Sequence, residues 1–271
     1  MTAMAAPQQD TSPQEARGTS VLTNGLAVLR TFSVDEPLLG VSDIAARVGL
    51  HKSTVSRILA TLEREELVER DSATRRFRLG LGVIALAGPL LANLDVRRVA
   101  YPVLVDLRRA TGETSALMLW DGVEAVCVEQ VPSSHQVKHT TPLGARYRDA
   151  ASSSVQVFLA RLDEFSVRSL LMNGTIEYPG LDQAGLEAFQ VRLAEVNERG
   201  YALNYGETSL EEVGVAAPVH DHRGEPVAAV LVSAPRFRVS REQASAIGDA
   251  AVTAAREVEK RLGGVAPSPA P

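Results

Sequence analysis

The run Val41-Ser42-Asp43-Ile44-Ala45-Ala46-Arg47-Val48-Gly49-Leu50-His51-Lys52-Ser53-Thr54-Val55-Ser56-Arg57-Ile58-Leu59-Ala60-Thr61-Leu62 decides the fold of the N-terminal third of the chain. Val41, Ile44, Ala45 and Val48 fall at i, i+3, i+4 and i+7, the spacing of one helical face. Ser42 is placed to cap this short helix and Gly49 to end it. Past Gly49-Leu50 the same spacing returns at Val55, Ile58, Leu59 and Leu62, predicting a further helix from about His51 to Arg64. Two short helices across a glycine turn make a helix-turn-helix. The opposite face of the later helix indicates its use. Ser53, Ser56, Arg57 and Ala60 again fall at i, i+3, i+4 and i+7, with Lys52 and Thr54 beside them, and acids appear only from Glu63 onward. Short polar side chains suit base edges in a major groove and cations suit phosphates, whereas an ordinary solvated face mixes both signs.

Upstream, Leu22, Leu26 and Leu29 with Phe32 predict a first helix over about Val21 to Phe32, broken by Asp35-Glu36-Pro37. Downstream, Leu67 to Arg70 and Arg75 to Leu79 read as two strands across the polar turn Asp71-Ser72-Ala73-Thr74. Alternation puts Phe77 and Leu79 toward the core and Arg76 and Arg78 outward, as a wing that meets phosphate or a minor groove. The candidate contacts to double-stranded DNA are therefore Ser42, His51, Lys52, Ser53, Thr54, Ser56 and Arg57 on the helices and Arg75, Arg76 and Arg78 on the wing. His51 also reads as a helix-capping residue.

The whole chain fits this picture. Its 271 residues, 45% of them hydrophobic, are too many for one average core and suit two domains. A formal charge of −5 argues against a nucleic-acid coat protein but not against a local DNA-reading module. Residues 1–80 are balanced at ten basic and ten acidic side chains, so the negative balance lies wholly in the remainder. Residues 1–18 and 263–271 are polar or Pro-rich and read as a disordered leader and tail. The lone Cys127 supplies neither an internal disulfide nor a metal site, which suits a reducing cytoplasm. No apolar run approaches the roughly 20 residues that span a bilayer, so no membrane partner is expected.

Gly80 to Asn93 is apolar and helix-prone, with a kink expected at Gly88-Pro89. A segment this apolar needs a covering, either a partner chain or the neighbouring domain. Val96, Val99, Ala100, Val103 and Leu107 then define a helix ending near Thr111-Gly112. Ser115 to Trp120 and Ala125 to Val131 are β-rich runs joined at Asp121-Gly122, a hairpin signal. Leu186, Phe189, Leu193 and Val196 mark a helix ending at Gly200. Val213 to Val219 and Val227 to Val232 give two more strands, and Ser240-Arg241-Glu242-Gln243 is a capping box opening a helix from Arg241 to about Leu262. The expected fold class is mixed α/β, with an antiparallel sheet and helices packed against it.

Ser152-Ser153-Ser154 lies before the apolar run Val155 to Leu159, so its hydroxyls and amides sit where a helix start binds a carboxylate, or simply cap that helix. Met118 and Trp120 form the apolar wall of a pocket if they face inward from the hairpin, and core otherwise. His220-Asp221-His222 spaces two imidazoles as a metal site might, but its surroundings read as a hairpin tip. No nucleophile elbow, phosphate loop or dinucleotide fingerprint occurs, so no catalytic residue, cofactor or metal is expected. An enzyme of small-molecule metabolism with a DNA-binding adaptor is the alternative.

The residues resemble those of the IclR-type bacterial transcriptional regulators. The likeness runs through Val28-Leu29-Arg30-Thr31-Phe32-Ser33, Val41-Ser42-Asp43-Ile44-Ala45, Val48 to Leu59 with its Lys52-Ser53-Thr54-Val55, and Phe77-Arg78-Leu79-Gly80. It continues at Arg199-Gly200-Tyr201-Ala202, Val215-Ala216-Ala217-Pro218-Val219 and Val230 to Pro235. It implies a winged helix-turn-helix over 19–80, a linker helix over 81–95 and a GAF- or PAS-like effector domain over 96–262. It also implies a dimer or dimer of dimers and an operator, more often repressed than activated, that answers to a small-molecule effector. By position it assigns effector contacts to Ser152, Ser153, Ser154, Asn204, Gly214 and Ser233, with Met118 as a wall. Asn204 reads equally as a turn residue and Ser233 as a strand-end hydroxyl. The family's His, Gly and Lys beside the serines are replaced here by Ala150, Val155 and Gln156, so the expected pocket is neutral and hydrogen-bonding.

Overall fold

The computed structural model of the chain describes residues 13–33, 35–93 and 95–263. The chain divides after Asn93 into two compact units. The expected leader up to residue 12 and tail from residue 264 lie outside the described residues.

The first unit comprises α1 (Pro13–Leu29), α2 (Val41–Val48), α3 (Lys52–Arg64), the hairpin β1 (Val68–Arg70) and β2 (Phe77–Leu79), and α4 (Gly82–Asn93). Helix α1 begins earlier than the sequence pattern suggests and takes in residues 13–18 of the expected disordered leader. Proline suits such a start, because its φ is already helical and its missing donor would be unsatisfied there anyway. The helix also ends before Phe32, because Thr31 turns its N–H and its hydroxyl back onto the Val28 carbonyl, at 3.1 and 2.7 Å. Val28 of this helix is buried, while Leu22 and Leu26 are exposed rather than core-facing.

Ser42 is not the cap of α2. Gly40 holds that position, and Asp43 reaches back to accept its N–H at 3.1 Å, leaving Ser42 exposed in the first turn. Gly49 ends the helix at φ 67°, the left-handed conformation that favours glycine. Ile44 and Ala45 of α2 pack with Val55 and Leu59 of α3, Val28, Leu39, Val68 and Phe77 in one core. The wing is tied into that core by an antiparallel bridge between Leu39 and Phe77. Leu79 departs from the expected alternation. It lies at the end of a three-residue strand, past the edge of the core, and is 43% exposed. Glycine is required just beyond, since a Cβ on Gly80 or Gly82 would fall 2.2 or 2.7 Å from the Glu66 carbonyl. Helix α4 runs through Gly88-Pro89 as a single helical span.

The second unit comprises α5 (Asp95–Thr111), β3 (Thr114–Trp120), β4 (Ala125–Val131), β5 (Arg146–Tyr147), α6 (Ser153–Leu159), α7 (Glu164–Met172), α8 (Gln183–Arg199), β6 (Ala202–Tyr205), β7 (Glu212–His220), β8 (Pro226–Pro235) and α9 (Arg241–Arg261). Among the described residues the strands form one antiparallel sheet in the order β5-β4-β3-β8-β7-β6. Successive residues of a strand point to opposite faces, and β7 shows the result. Val213, Val215, Ala217 and Val219 pack with α5 and α9, whereas Ala216 packs with α6 and α8. The sheet is thus the middle of three layers. At both hairpins an aspartate fixes the turn: Asp121 Oδ1 accepts from Val123 and Glu124 N–H, and Asp221 Oδ1 from those of Arg223 and Glu225. These bonds hold both carboxyls below the ordinary aspartate range.

Candidate functional site

Two arrangements stand out, one in each unit. On α3, burial of Val55 and Leu59 orients the opposite face outward, so Lys52, Ser53, Ser56, Arg57 and Ala60 are all exposed and Thr54 is half-buried. His51 flanks the helix start, its Nδ1 3.2 Å from Ser53 Oγ. The side chains of Lys52 and Arg57 make no ion pair among the described residues and are free to meet an anion. The wing arginines differ from one another. Arg75 sits at the tip with a positive φ of 59° and no ion pair among the described residues. Arg76 donates to the Leu38 carbonyl at 3.2 Å and lies 3.8 Å from Asp43, and Arg78 is engaged by Glu69 on β1.

In the second unit a cavity of about 320 Å³ opens on the α6 side of the sheet, large enough for a small metabolite. Ser152, Ser153, Ser154, Asn204 and Gly214, from three distant stretches of sequence, all line it. Ser152 flanks the start of α6, and its Oγ lies 3.0 Å from that of Ser154. Ser153 is 2% exposed and its hydroxyl has no hydrogen-bond partner among the described residues. Gly214, paired with Asn204 on β6 and Ser233 on β8, keeps the floor open, because a Cβ there would lie 3.0 Å from Ser153 Oγ. Asn204 performs both roles open to it. It faces the cavity, and its Oδ1 accepts from Glu207 N–H at 2.9 Å while its Nδ2 donates to Thr208 Oγ1, fixing the turn after β6.

Two expected contacts lie elsewhere. Met118 is wholly buried in the core beneath α6 and α8, and Ser233 is buried 3.3 Å from Thr141 Oγ1, so neither lines the cavity. Trp120 is half-buried and stacks on Phe158 at 5.1 Å. The expected neutral lining is also incomplete, because Arg146, Arg148, Asp149, Glu177 and Glu212 line the cavity as well, with Tyr147, Thr208 and Leu231. Arg146 is bound by Asp121 and Glu124, and Arg148 by Glu177. Burial, and secondarily the Glu212 carboxylate, raises the Tyr147 phenol above its ordinary range. The run Arg146-Tyr147-Arg148-Asp149 before the serines was the available signal for part of this lining. Glu177 and Glu212 come from remote segments and carry none.

His220-Asp221-His222 is a hairpin element. His220 Nδ1 lies 2.7 Å from Glu259 Oε1, the same oxygen that accepts the His220 backbone N–H, and Asp221 holds the turn. The described residues hold no cluster of three or more metal-binding side chains. No helix among them is long and apolar enough to cross a membrane.

Comparison with known proteins matches both parts of the chain to one family. Residues 21–72 match the model of the IclR helix-turn-helix domain, and residues 89–260 match that of the bacterial transcriptional regulator IclR C-terminal domain. The transcriptional repressor IclR of Escherichia coli K12 is 27% identical over 247 residues, 90% of each chain. A crystal structure of a domain from an IclR-family transcriptional regulator is 60% identical, with a TM-score of 0.62, covering 64% of this chain and 99% of that one. An IclR homologue from Microbacterium hydrocarbonoxydans, crystallised with 4-hydroxybenzoate, has the same fold at 24% identity and a TM-score of 0.74, over 90% of this chain and 99% of that one.

Proposed function

We propose, for a chain that belongs to the IclR family of bacterial transcriptional regulators, that it represses transcription by holding an operator through α3 and the wing, and that a small molecule in the 320 Å³ cavity modulates this hold. The observation that carries the DNA part is the acid-free outer face of α3, where Lys52 and Arg57 are exposed and unpaired among the described residues beside Ser53 and Ser56. Residues 19–80 act as the DNA-binding domain, 81–95 as the linker and 96–262 as the effector-binding domain. Arg75 is the wing residue best placed to reach DNA, whereas Arg76 and Arg78 must first leave Asp43 and Glu69. The sign of regulation follows the repressor of Escherichia coli. Acting on operator DNA places the protein in the cytoplasm, and the cavity is assigned to binding, not to catalysis.

The chain acts as a dimer or dimer of dimers. Support comes from α1, α4 and the residue before α4, which leave Leu22, Leu81, Ile84 and Leu86 in water, a cost that a partner copy removes. The test is a thermal-shift screen of metabolites, 4-hydroxybenzoate among them, against the full chain, followed by operator titration with and without each hit. A ligand at 100 times its dissociation constant stabilises the folded state by about 2.7 kcal/mol. Hits that raise stability yet leave operator affinity unchanged reject the regulatory reading.

A further inference from the structure

We infer that the cavity selects a ligand bearing a protonated nitrogen, a small primary amine or its like, held by Asp149 and Glu212. This rests on the reading of the cavity as the effector site and goes further by fixing the charge of the effector.

The charges around the cavity are unequal in how they are met. Its two cations, Arg146 and Arg148, have side chains 54% and 53% exposed and are already neutralised by Asp121, Glu124 and Glu177. An exposed and paired guanidinium projects little field onto a ligand. Asp149 and Glu212 are both half-buried and neither forms an ion pair with any described residue. Asp149 accepts only the Ala151 N–H, at 2.7 Å, and Glu212 has no side-chain hydrogen bond among the described residues. The uncompensated charge of the lining is therefore negative and lies deeper than the rim. An ammonium entering the cavity meets two carboxylates that no described cation has paired.

Acidic side chains alone do not define a site. The independent observation is Ser153, buried, lining the same cavity, with a hydroxyl that no described residue satisfies. The hydroxyl of this otherwise buried residue opens onto the cavity with its hydrogen-bonding capacity unused by the protein, so a ligand polar group that meets it gains a hydrogen bond. Gly214 leaves the space over that hydroxyl open. The described residues contain no cluster able to hold a metal ion, and the hydroxyls and amide around the acids suit an organic ammonium with a hydrogen-bonding body.

The test uses the full chain and matched probes of three charges: 4-hydroxybenzylamine, 4-hydroxybenzyl alcohol and 4-hydroxybenzoate, with butylamine, butanol and butyrate as an aliphatic series. Magnesium chloride is run alone. Affinity is read by calorimetry on the parent, Glu212→Gln, Asp149→Asn and Gly214→Leu. The expected result is that the amine of a series binds tighter than its alcohol and carboxylate. Each acid-to-amide variant then loses about tenfold or more for the amine and little for the alcohol, the size of one charge-assisted hydrogen bond. Gly214→Leu, which fills the cavity, abolishes binding of all three. Preference for the carboxylate, or for magnesium over every amine, overturns the charge assignment. If Gly214→Leu still removes that binding, the effector site itself stands. Binding that survives Gly214→Leu, or no binding by any probe, counts against the site as well as the charge.

Discussion

At the residue scale, exposure without a partner separates the side chains available for function from those already used. Arg57 and Ser53 share the outer face of α3 but differ in what they offer, one a charge and the other a short hydroxyl. Arg57→Ala is expected to weaken operator binding across sequences and flatten its salt dependence by about one unit of slope, as loss of a phosphate contact does. Ser53→Ala is expected to leave the slope intact and shift base preference. Footprinting and salt titration check both, and parental behaviour in the two variants would exclude α3 as the recognition helix. Cys127 is the opposite case. Buried, with its thiol toward the Thr141 carbonyl at 3.1 Å, it is pushed up to about 12 by desolvation. It should resist iodoacetamide at pH 8 in the folded chain and react fully in denaturant, as mass spectrometry would read. Because the folded-state value is raised, its contribution to stability is present below about 9, the ordinary thiol value, and is lost as pH rises toward about 12.

At the element scale, helix ends carry the geometry of the DNA-reading unit. Asp43 caps α2 through Gly40 and stands near Arg76 of the wing, so one carboxylate serves a helix start and a neighbouring strand end. Asp43→Ala is expected to cost about 1 kcal/mol, the usual penalty for a lost N-terminal cap, and to speed amide exchange in α2 before other helices. Exchange measured by mass spectrometry with no local change in α2 would show that the cap is dispensable. The same periodicity that located α2, α3, α8 and α9 misjudged α1, because apolar spacing reports a face and not what covers it. Leu29 on the same helical side packs against the first unit's core, whereas Leu22 and Leu26 are left exposed.

At the scale of the molecule, those uncovered residues point to self-association. Leu86, 74% exposed on α4, is expected to be buried between copies. Leu86→Glu should then lower the mass seen by light scattering and weaken operator binding, since paired readers share two half-sites. A parental chain that is monomeric at micromolar concentration, free and on DNA, sinks the proposal.

The sequence by itself determined the helix-turn-helix, the two Asp-based hairpins, the Gly49 and Gly200 helix ends and the Ser240 capping box, because each depends on residues within a few positions of one another. It also singled out Ser152 to Ser154, Asn204 and Gly214. Only the tertiary structure decided that these five share a cavity, that Met118 and Ser233 do not join them, and that Asp149, Glu177 and Glu212 do. Cavity walls are assembled by strand order. With β6, β7 and β8 adjacent, Asn204, Gly214 and Ser233 form one cross-strand row on one face of the sheet, yet Ser233 is covered by Thr141 while Asn204 meets the cavity. The electrostatic character of the site was settled there too, since whether an arginine is available to a ligand depends on remote acids that neutralise it, and no local pattern records their approach.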